Sequence, residues 1–331
     1  MTECSSVKGP HTDQRSVLPR PEDSSATEHQ AAMELRMKTT PKRVMVIGAR
    51  GLLGTPTAAA FRRSAEVEVD GVDLPDLDIT EEQQVEKRVA AFRPDLVINC
   101  AAYTAVDACE TNEATASRVN GLGAGFVARA AAHHGSRMIH ISTDYVFEGD
   151  AKVPYREDHP PAPPERLSAY GRSKLLGERQ VQAHHRQALI VRTAWLYGPN
   201  GLGFPNAILR RAREIGRLQV VNDQRGSPTY APDLADALFR LGQLEVTGIF
   251  HVTNSGECTW YEYACEILRL AGIQIPIAPV TTAEFPRPAR RPAFSVLDNR
   301  RYIEATGAPL RSWREALAEY ITSCVMPGGL R

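Results

Sequence analysis

The chain has 331 residues, and its 39 lysines and arginines balance 39 aspartates and glutamates, so its formal net charge is zero. This length suits one large domain, or a large domain with a smaller lobe. The neutral charge argues against nucleic acid or an anionic membrane as a partner. The longest apolar runs are far shorter than the roughly 20 residues of a membrane-spanning helix. We therefore expect a soluble protein with neither a nucleic-acid nor a membrane partner.

The six cysteines are scattered, with no C-x-x-C pair and no histidine at metal-ligand spacing. This pattern favours a reducing compartment over a disulfide framework, so we predict a cytoplasmic protein and assign no residue as a metal ligand. Residues 1–41 are polar and lack the apolar core of a secretory signal, which predicts a disordered N-terminal tail. Met33 and Met37 both precede the first predicted strand. We hypothesise that translation starts at one of these methionines; detection by mass spectrometry of peptides from Ser16 to Glu34 in the natively expressed protein would rule this out.

A short β-branched run from Arg43 leads into a glycine-rich turn and a helical pattern, "RVMVIGARGLLGTPTAAAFRRS". The turn holds Gly48, Gly51 and Gly54. Glycines allow a tight turn and a close approach of backbone to a diphosphate, which the N–H groups at the helix N-terminus favour. The G-x-x-G-x-x-G spacing differs from the G-x-G-x-x-G dinucleotide fingerprint. A glycine turn without a ligand is therefore an alternative.

The second predicted strand, "VEVDGVD", ends in Asp73, where an acidic side chain can accept a hydrogen bond from a ribose 2′-hydroxyl. Arg50, within the glycine turn, instead suits the 2′-phosphate of NADP. NADH and NADPH both stay open as cofactors.

The chain then alternates between helices and strands. A helix to Phe92 precedes the apolar strand of "PDLVINCAAYTAVD", and a helix over Ala114–His134 precedes the strand of "MIHISTDYVFEG". Such alternation predicts a doubly wound parallel α/β sheet, a Rossmann-like fold. Ligands bind beyond the carboxyl ends of the strands in such sheets, so the polar residues after these strands are expected to face a cleft.

Tyr170 and Lys174 in "SAYGRSKLLGE" are one turn apart on a helix predicted to begin near Ser168. A neighbouring ammonium favours the phenolate, so we expect Lys174 to lower the pKa of Tyr170 and make it a general acid. Thr143 is expected to hydrogen-bond a substrate carbonyl, and Lys174 a nicotinamide ribose.

Residues beyond 198 are less regular and include predicted helices at "APDLADALFRLGQL" and "TWYEYACEILRLAG". We predict a dinucleotide-binding domain of residues 42–198 and 228–254, a smaller substrate-binding lobe of residues 199–227 and 255–322, and a C-terminal tail of residues 323–331. The cationic loop "EFPRPARRPAFSVLD" suits a nucleotide diphosphate or a plain charged surface.

The histidines carry no predicted chemistry. His251 is expected in the core, and four others are expected to be solvated at polar helix ends: His133, His134, His184 and His185.

The motifs "NCAAYTAVDACE", "STDYVFEG", "YGRSKLLGE", "RTAWLYG", "DQRGSPTYAPDLADAL" and "ARRPAFSVLDN" resemble, in this order, those of the dTDP-4-dehydrorhamnose reductases. This family lies within the extended short-chain dehydrogenase/reductases, and the resemblance covers roughly Arg43 to Tyr320. It implies reduction of the 4-keto group of dTDP-4-dehydro-β-L-rhamnose by NADPH or NADH. A dTDP-sugar substrate and a possible homodimer follow from it, and metal dependence is left open.

The resemblance also implies residue roles. The catalytic group is Thr143, Tyr170 and Lys174. The cofactor contacts are Gly48, Arg50, Gly51, Leu52, Leu53, Gly54, Asp73, Asp78, Ile79, Ala101, Ala102 and Tyr103, with Tyr170 and Lys174. The substrate contacts are Thr104, Val106, Thr143, Asp144 and Trp195, although core packing is an alternative for Trp195.

Three alternatives stay open to different degrees. A 4,6-dehydratase needs a second acid after Asp144, where this chain has Tyr145. A 4-epimerase is excluded less firmly. A non-catalytic regulatory subunit, resembling that of methionine adenosyltransferase, retains much of the same motif set.

Overall fold

The computed structural model describes residues 1–2, 40–199 and 203–325. Most of the predicted N-terminal tail and residues 326–331 of the predicted C-terminal tail lie outside these ranges. Among the described residues, none of the helices is both long and apolar enough to cross a membrane.

A six-stranded parallel sheet forms the centre of the fold. Its order is β2-β1-β3-β4-β5-β10. The strands are β1 (Arg43–Ile47), β2 (Glu68–Val72), β3 (Leu96–Asn99), β4 (Arg137–Thr143), β5 (Leu189–Thr193) and β10 (Gly248–His251). The chain moves from β1 to one neighbour, β2, and then to the other, β3. This reversal is the switch point at which doubly wound sheets bind ligands, so the predicted fold is confirmed.

Helices cover both faces of the sheet because its inner strands are apolar on both sides. Val44 and Val46 of β1 point into a cluster with Leu234 and Leu238. The alternate residue Met45 belongs to the opposite cluster. The helices are α1 (Gly54–Arg62), α2 (Glu82–Phe92), α3 (Val106–Cys109), α4 (Glu113–Ala116), α5 (Ala124–His133), α6 (Ala169–His184), α7 (Phe204–Ile215), α8 (Ala231–Gly242), α9 (Trp260–Leu270), α10 (Arg300–Thr306) and α11 (Trp313–Tyr320).

The predicted helix over 114–134 is present but not uniform. A π-helical segment, Ser117–Gly123, joins α4 to α5. Within it, Asn120 donates to Ser173 Oγ (2.9 Å) and accepts from the Tyr103 N–H (2.7 Å). The wider turn thus ties α6 to the loop after β3, close to the predicted site.

A separate hydrophobic cluster lies in the C-terminal half. It includes Tyr197, Leu209, Tyr263 and Trp313. Short strand pairs surround it: β6 (Leu196–Tyr197) with β9 (Thr229–Tyr230), β7 (Leu218–Val221) with β12 (Ile277–Val280), and β8 (Arg225–Gly226) with β11 (Cys258–Thr259).

The boundaries of this region differ locally from the predicted division. Helix α10, placed in the substrate lobe by the sequence, contributes Tyr302 and Ala305 to the cluster behind the central sheet. A second π-helical segment, Ile321–Val325, continues α11 past the predicted start of the C-terminal tail. The two-part division of the chain stays a prediction.

Candidate active site

The glycine turn packs directly against the turn that follows β3. Gly48 has φ +78°, and a Cβ there would lie 2.7 Å from the Ala101 backbone nitrogen. A Cβ on Gly54 would overlap the Gly48 carbonyl oxygen. No side chain of the described residues caps α1; in its first turn the Thr55 N–H donates to the Gly51 carbonyl (3.1 Å), and Pro56 has no N–H. The turn therefore fits the diphosphate of a dinucleotide.

The two predicted cofactor selectors, Asp73 and Arg50, lie in one surface cluster. The Asp73 carboxylate accepts hydrogen bonds from the backbone N–H groups of Arg50 (2.9 Å) and Leu74 (2.8 Å). The Arg50 guanidinium donates instead to Asp76 (2.7 Å) and to the Leu74 carbonyl (2.8 Å). Arg50 thus has a carboxylate partner already and is 64% exposed.

The other predicted cofactor residues line the same end of the sheet. Asp78 accepts from the Thr80 N–H (2.9 Å) and hydroxyl (2.8 Å), which closes the turn before α2. Leu53 and Ile79 are buried in opposite core clusters. Four residues are half-buried around the turn: Leu52, Ala101, Ala102 and Tyr103.

Helix α6 carries the predicted catalytic pair. Ser168 accepts from the Gly171 N–H (3.1 Å) and begins the helix where the sequence predicts. Lys174 is 3% exposed, and its ammonium donates to the Ile141 carbonyl of β4 (2.7 Å). Burial lowers the pKa of Lys174 to about 8, although the Glu178 carboxylate opposes this shift.

The expected effect of Lys174 on Tyr170 is wrong. Burial raises the pKa of the Tyr170 phenol above its ordinary value, and a hydrogen bond with Thr143 offsets only part of the rise. The carboxylate of Asp144 raises it further. Tyr170 is therefore a protonated phenol at neutral pH, as a proton donor must be.

Asp144 is a buried carboxyl group beside this pair. Thr143 donates to its Oδ1 (3.0 Å), and hydrogen bonds with the Ser295 and Thr143 hydroxyls lower its pKa only in part. Burial raises the pKa of Asp144 to about 6. The Tyr145 ring meets the Tyr170 ring edge-on, with centroids 5.4 Å apart. Thr104 is exposed and Val106 half-buried after β3.

Trp195 is half-buried and held in an unusual conformation. Its φ is +47°, and its indole stacks on Trp260 with centroids 3.4 Å apart and planes 6° apart. Gly226 packs so closely against the indole that a Cβ at this position would not fit. The Trp195 ring is thus covered by other residues, whereas Trp260 lines a cavity.

This cavity, of about 860 Å³, extends from Tyr145 to the C-terminal region. The cationic loop lines it, and Arg291 donates to Asp107 of α3 (2.7 Å). The sequence did not single out five other lining residues: Phe204, Arg211, Gln224, Trp260 and Phe285. Gln224, Trp260 and Phe285 lie within segments quoted above, but no spacing in those segments indicated that they meet at one cavity.

The sequence patterns also missed a buried ion pair behind the site. Arg192 of β5 donates to both oxygens of Glu178 (2.8 and 2.7 Å), and the Ser142 hydroxyl donates to one of them (2.5 Å). The two charged side chains are 1% and 2% exposed. Glu178 follows Lys174 by one helical turn, a signal present in the quoted motif.

Of the four histidines expected to be solvated, His133 and His184 are exposed, His134 is partly buried, and His185 differs from the expectation. His185 is only 9% exposed and contacts the Ser136 carbonyl (2.8 Å). His133 and His134 both contact Glu86. His251 is buried as expected, and its Nδ1 contacts the Tyr155 carbonyl (3.0 Å).

Comparison with known proteins agrees with this geometry. The family model described as "RmlD substrate binding domain" matches residues 42–326. A probable dTDP-4,6-dihydroxy-2-methyloxan-3-one 4-ketoreductase of Streptomyces antibioticus is 45% identical over 84% of this chain and 94% of its own length. A dTDP-4-dehydrorhamnose reductase of Streptomyces griseus is 43% identical over 84% of this chain and 92% of its own.

A solved structure extends the likeness to three dimensions. The dTDP-4-dehydrorhamnose reductase of Bacillus anthracis, crystallised with NADP, is 38% identical, with a TM-score of 0.81 over 85% of this chain and 99% of its own. The chain therefore belongs to the RmlD substrate-binding family, together with the dTDP-4-dehydrorhamnose reductases that it matches over most of its length.

Proposed function

We propose that this protein reduces the 4-keto group of dTDP-4-dehydro-β-L-rhamnose to dTDP-L-rhamnose, with NADPH or NADH as the reductant. The observation that carries the proposal is the meeting of Thr143, Tyr170 and Lys174 at the carboxyl end of β4. The family membership supports the same reaction.

In this proposal Tyr170 is the proton donor. A bound nicotinamide supplies hydride to C4 of the sugar, and the Tyr170 hydroxyl gives its proton to the carbonyl oxygen, so that an alcohol forms. Thr143 hydrogen-bonds the same oxygen and fixes it against Tyr170. Lys174, fixed by the Ile141 carbonyl, hydrogen-bonds the nicotinamide ribose.

The proposed cofactor contacts surround the glycine turn. Gly48, Gly51 and Gly54 allow the backbone to approach the diphosphate, with Leu52 and Leu53 beside them, and Asp73, Asp78 and Ile79 lie toward the adenosine. Either Asp73 binds a ribose hydroxyl or Arg50 binds a 2′-phosphate, which leaves NADH and NADPH as competing reductants.

The proposed nucleotide-sugar site is the 860 Å³ cavity, a volume within the roughly 300–1,000 Å³ typical of ligand pockets. Four arginines line it and suit a diphosphate: Arg211, Arg287, Arg290 and Arg291. Asp144 and Thr104 are proposed sugar contacts. Trp195 acts on the substrate indirectly, because it stacks on Trp260 and Trp260 lines the cavity.

A second candidate substrate is the ketosugar named for the Streptomyces antibioticus relative, because identity to that protein is as high as 45%. The chemistry at Tyr170 is the same in both cases. The difference lies in the sugar hydroxyl groups that the cavity accepts.

The test is an absorbance assay of NADPH and NADH consumption with each ketosugar, and identification of the product by mass and NMR. We expect dTDP-L-rhamnose from the first substrate at the higher kcat/KM. Faster reduction of the other ketosugar would move the assignment to it. Absence of reduction by folded protein that binds NADPH would favour the regulatory-subunit alternative.

The homodimer, the cytoplasmic location and the two-part division of the chain stay predictions. Light scattering of the purified full chain tests the first, fractionation of native cells the second, and limited proteolysis near residues 199 and 255 the third.

A further inference from the structure

Two helices bring three metal-ligating side chains together on the molecule's surface, away from the reductase site. Glu86 lies in α2, His133 is the last residue of α5, and His134 follows directly. Glu86 Oε1 lies 2.8 Å from His133 Nδ1 and 2.8 Å from His134 Nε2. The three donor atoms all lie within 4.8 Å of one another.

We propose that Glu86, His133 and His134 bind a divalent cation of the zinc type. Imidazole nitrogen and carboxylate oxygen are the ligands that Zn²⁺, Ni²⁺ and Cu²⁺ accept. Around tetrahedral Zn²⁺, ligand atoms about 2.0–2.2 Å from the ion are about 3.3 Å apart. Each Glu86–histidine distance of 2.8 Å needs to increase by roughly half an ångström to reach that spacing.

The surroundings favour a cation. His133 is 69% exposed, Glu86 39% and His134 22%, so an ion can enter and water can complete its coordination. The C-terminal end of α5 carries partial negative charge from its free carbonyls. Arg129, one turn earlier on α5, pairs with Glu82 and so does not neutralise Glu86.

Binding exchanges hydrogen for metal at both rings. Each imidazole nitrogen that faces Glu86 carries a hydrogen when it donates to the carboxylate. When the ion binds, that nitrogen turns a lone pair to it. In a neutral imidazole, the hydrogen moves to the other ring nitrogen. A protonated imidazole instead releases it to solvent. Binding therefore weakens at acidic pH, where protons compete for the nitrogens.

The site's position indicates a structural role. It lies between the end of α5 and the start of β4, whereas Thr143 ends β4 at the opposite edge of the sheet. The bound ion links α2 to α5, two helices that pack on the same face of the sheet through Val85, Val89 and Val127. Its effect is expected on stability rather than on ketone reduction, so it does not depend on the proposed function.

The test is calorimetric titration of Zn²⁺ into the full, untagged chain after treatment with a chelator. Wild type, Glu86→Gln and the His133→Ala/His134→Ala double variant are compared, with His184→Ala as the control for an exposed helix-end histidine. We expect saturable binding that is at least about tenfold weaker in both site variants and unchanged in the control. Saturating Zn²⁺ should raise the Tm of wild type and not that of Glu86→Gln.

A spectroscopic measurement keeps the test independent of folding. The electron paramagnetic resonance spectrum of Cu²⁺ bound to wild type should show superhyperfine splitting from two imidazole nitrogens. The spectrum of a His134→Asn variant should show splitting from one. Zn²⁺ affinity as high in the site variants as in wild type would overturn the proposal. So would the absence of saturable binding to wild type.

Discussion

Glu178 and Asp144 are both buried carboxyl groups close to the end of β4, yet their surroundings are opposite. Glu178 accepts three charge-assisted or hydroxyl hydrogen bonds, from Arg192 and Ser142. Asp144 has no cationic partner among the described residues within hydrogen-bonding distance, and only the Thr143 and Ser295 hydroxyls act on its carboxylate from side chains. Glu178, whose charge is matched by Arg192, holds α6 against the sheet. The charge of Asp144 is not matched by a cation, which is typical of functional sites.

The largest expected effect on stability comes from breaking the matched pair. Arg192→Met leaves Glu178 charged and buried without its partner, so we expect the free energy of unfolding to fall by about 3–5 kcal/mol. Urea denaturation measures it. The Glu178→Leu/Arg192→Met double variant removes both charges and should recover most of the loss. A single variant as stable as wild type would show that Arg192 contributes no net stability.

Removing the charge of Asp144 should have the opposite effect on the free energy of unfolding. The pKa of Asp144 is about 6 in the folded protein against an ordinary 3.8. The folded state therefore binds its proton more tightly. The associated stability is complete below about pH 4 and is lost as the pH rises through 6, by up to about 3 kcal/mol.

An asparagine side chain cannot ionise, so Asp144→Asn should be about 2–3 kcal/mol more stable than wild type near pH 7.5, with a much smaller difference near pH 4. Urea denaturation at both pH values is the measurement. We expect the same variant to be a poorer reductase, since stability and activity trade off at such sites. A variant less stable than wild type near pH 7.5 would contradict the pKa assignment.

The exposed pair Arg50–Asp76 extends the comparison to the surface and has the smallest expected effect. Arg50→Ala should change the free energy of unfolding by less than about 1 kcal/mol, because exposed ion pairs contribute little. If Arg50 binds a 2′-phosphate, KM for NADPH should rise about three- to tenfold while KM for NADH stays nearly constant. Equal KM changes for both cofactors would favour Asp73 as the selector.

Much of the fold followed from the sequence because its signals are local. Apolar strands alternating with helical patterns predicted the parallel sheet and a helix beginning near Ser168, and the structure shows that the Ser168 hydroxyl caps this helix. The glycine spacing and the polar strand ends identified the carboxyl edge. The pKa direction at Tyr170 was wrong because burial, which no spacing reveals, is the largest influence on the pKa of the phenol.

Other features depend on contacts between distant segments. Trp260 reaches the cavity by stacking on Trp195, far from it in the chain. Glu86 meets His133 and His134 only because α2 and α5 pack side by side. A pair of adjacent histidines carries no helical ligand spacing, so the sequence alone predicted solvated side chains.

The central claim is that Tyr170 gives the proton in ketone reduction, and one comparison tests it directly. Tyr170→Phe and Tyr145→Phe each remove one hydroxyl from two rings in contact. We predict that Tyr170→Phe lowers kcat for reduction of dTDP-4-dehydro-β-L-rhamnose by about 10²–10⁴-fold, with folding and NADPH binding retained. The decrease in kcat caused by Tyr145→Phe should be at least tenfold smaller. A Tyr170→Phe protein that keeps kcat within tenfold of wild type would contradict the account.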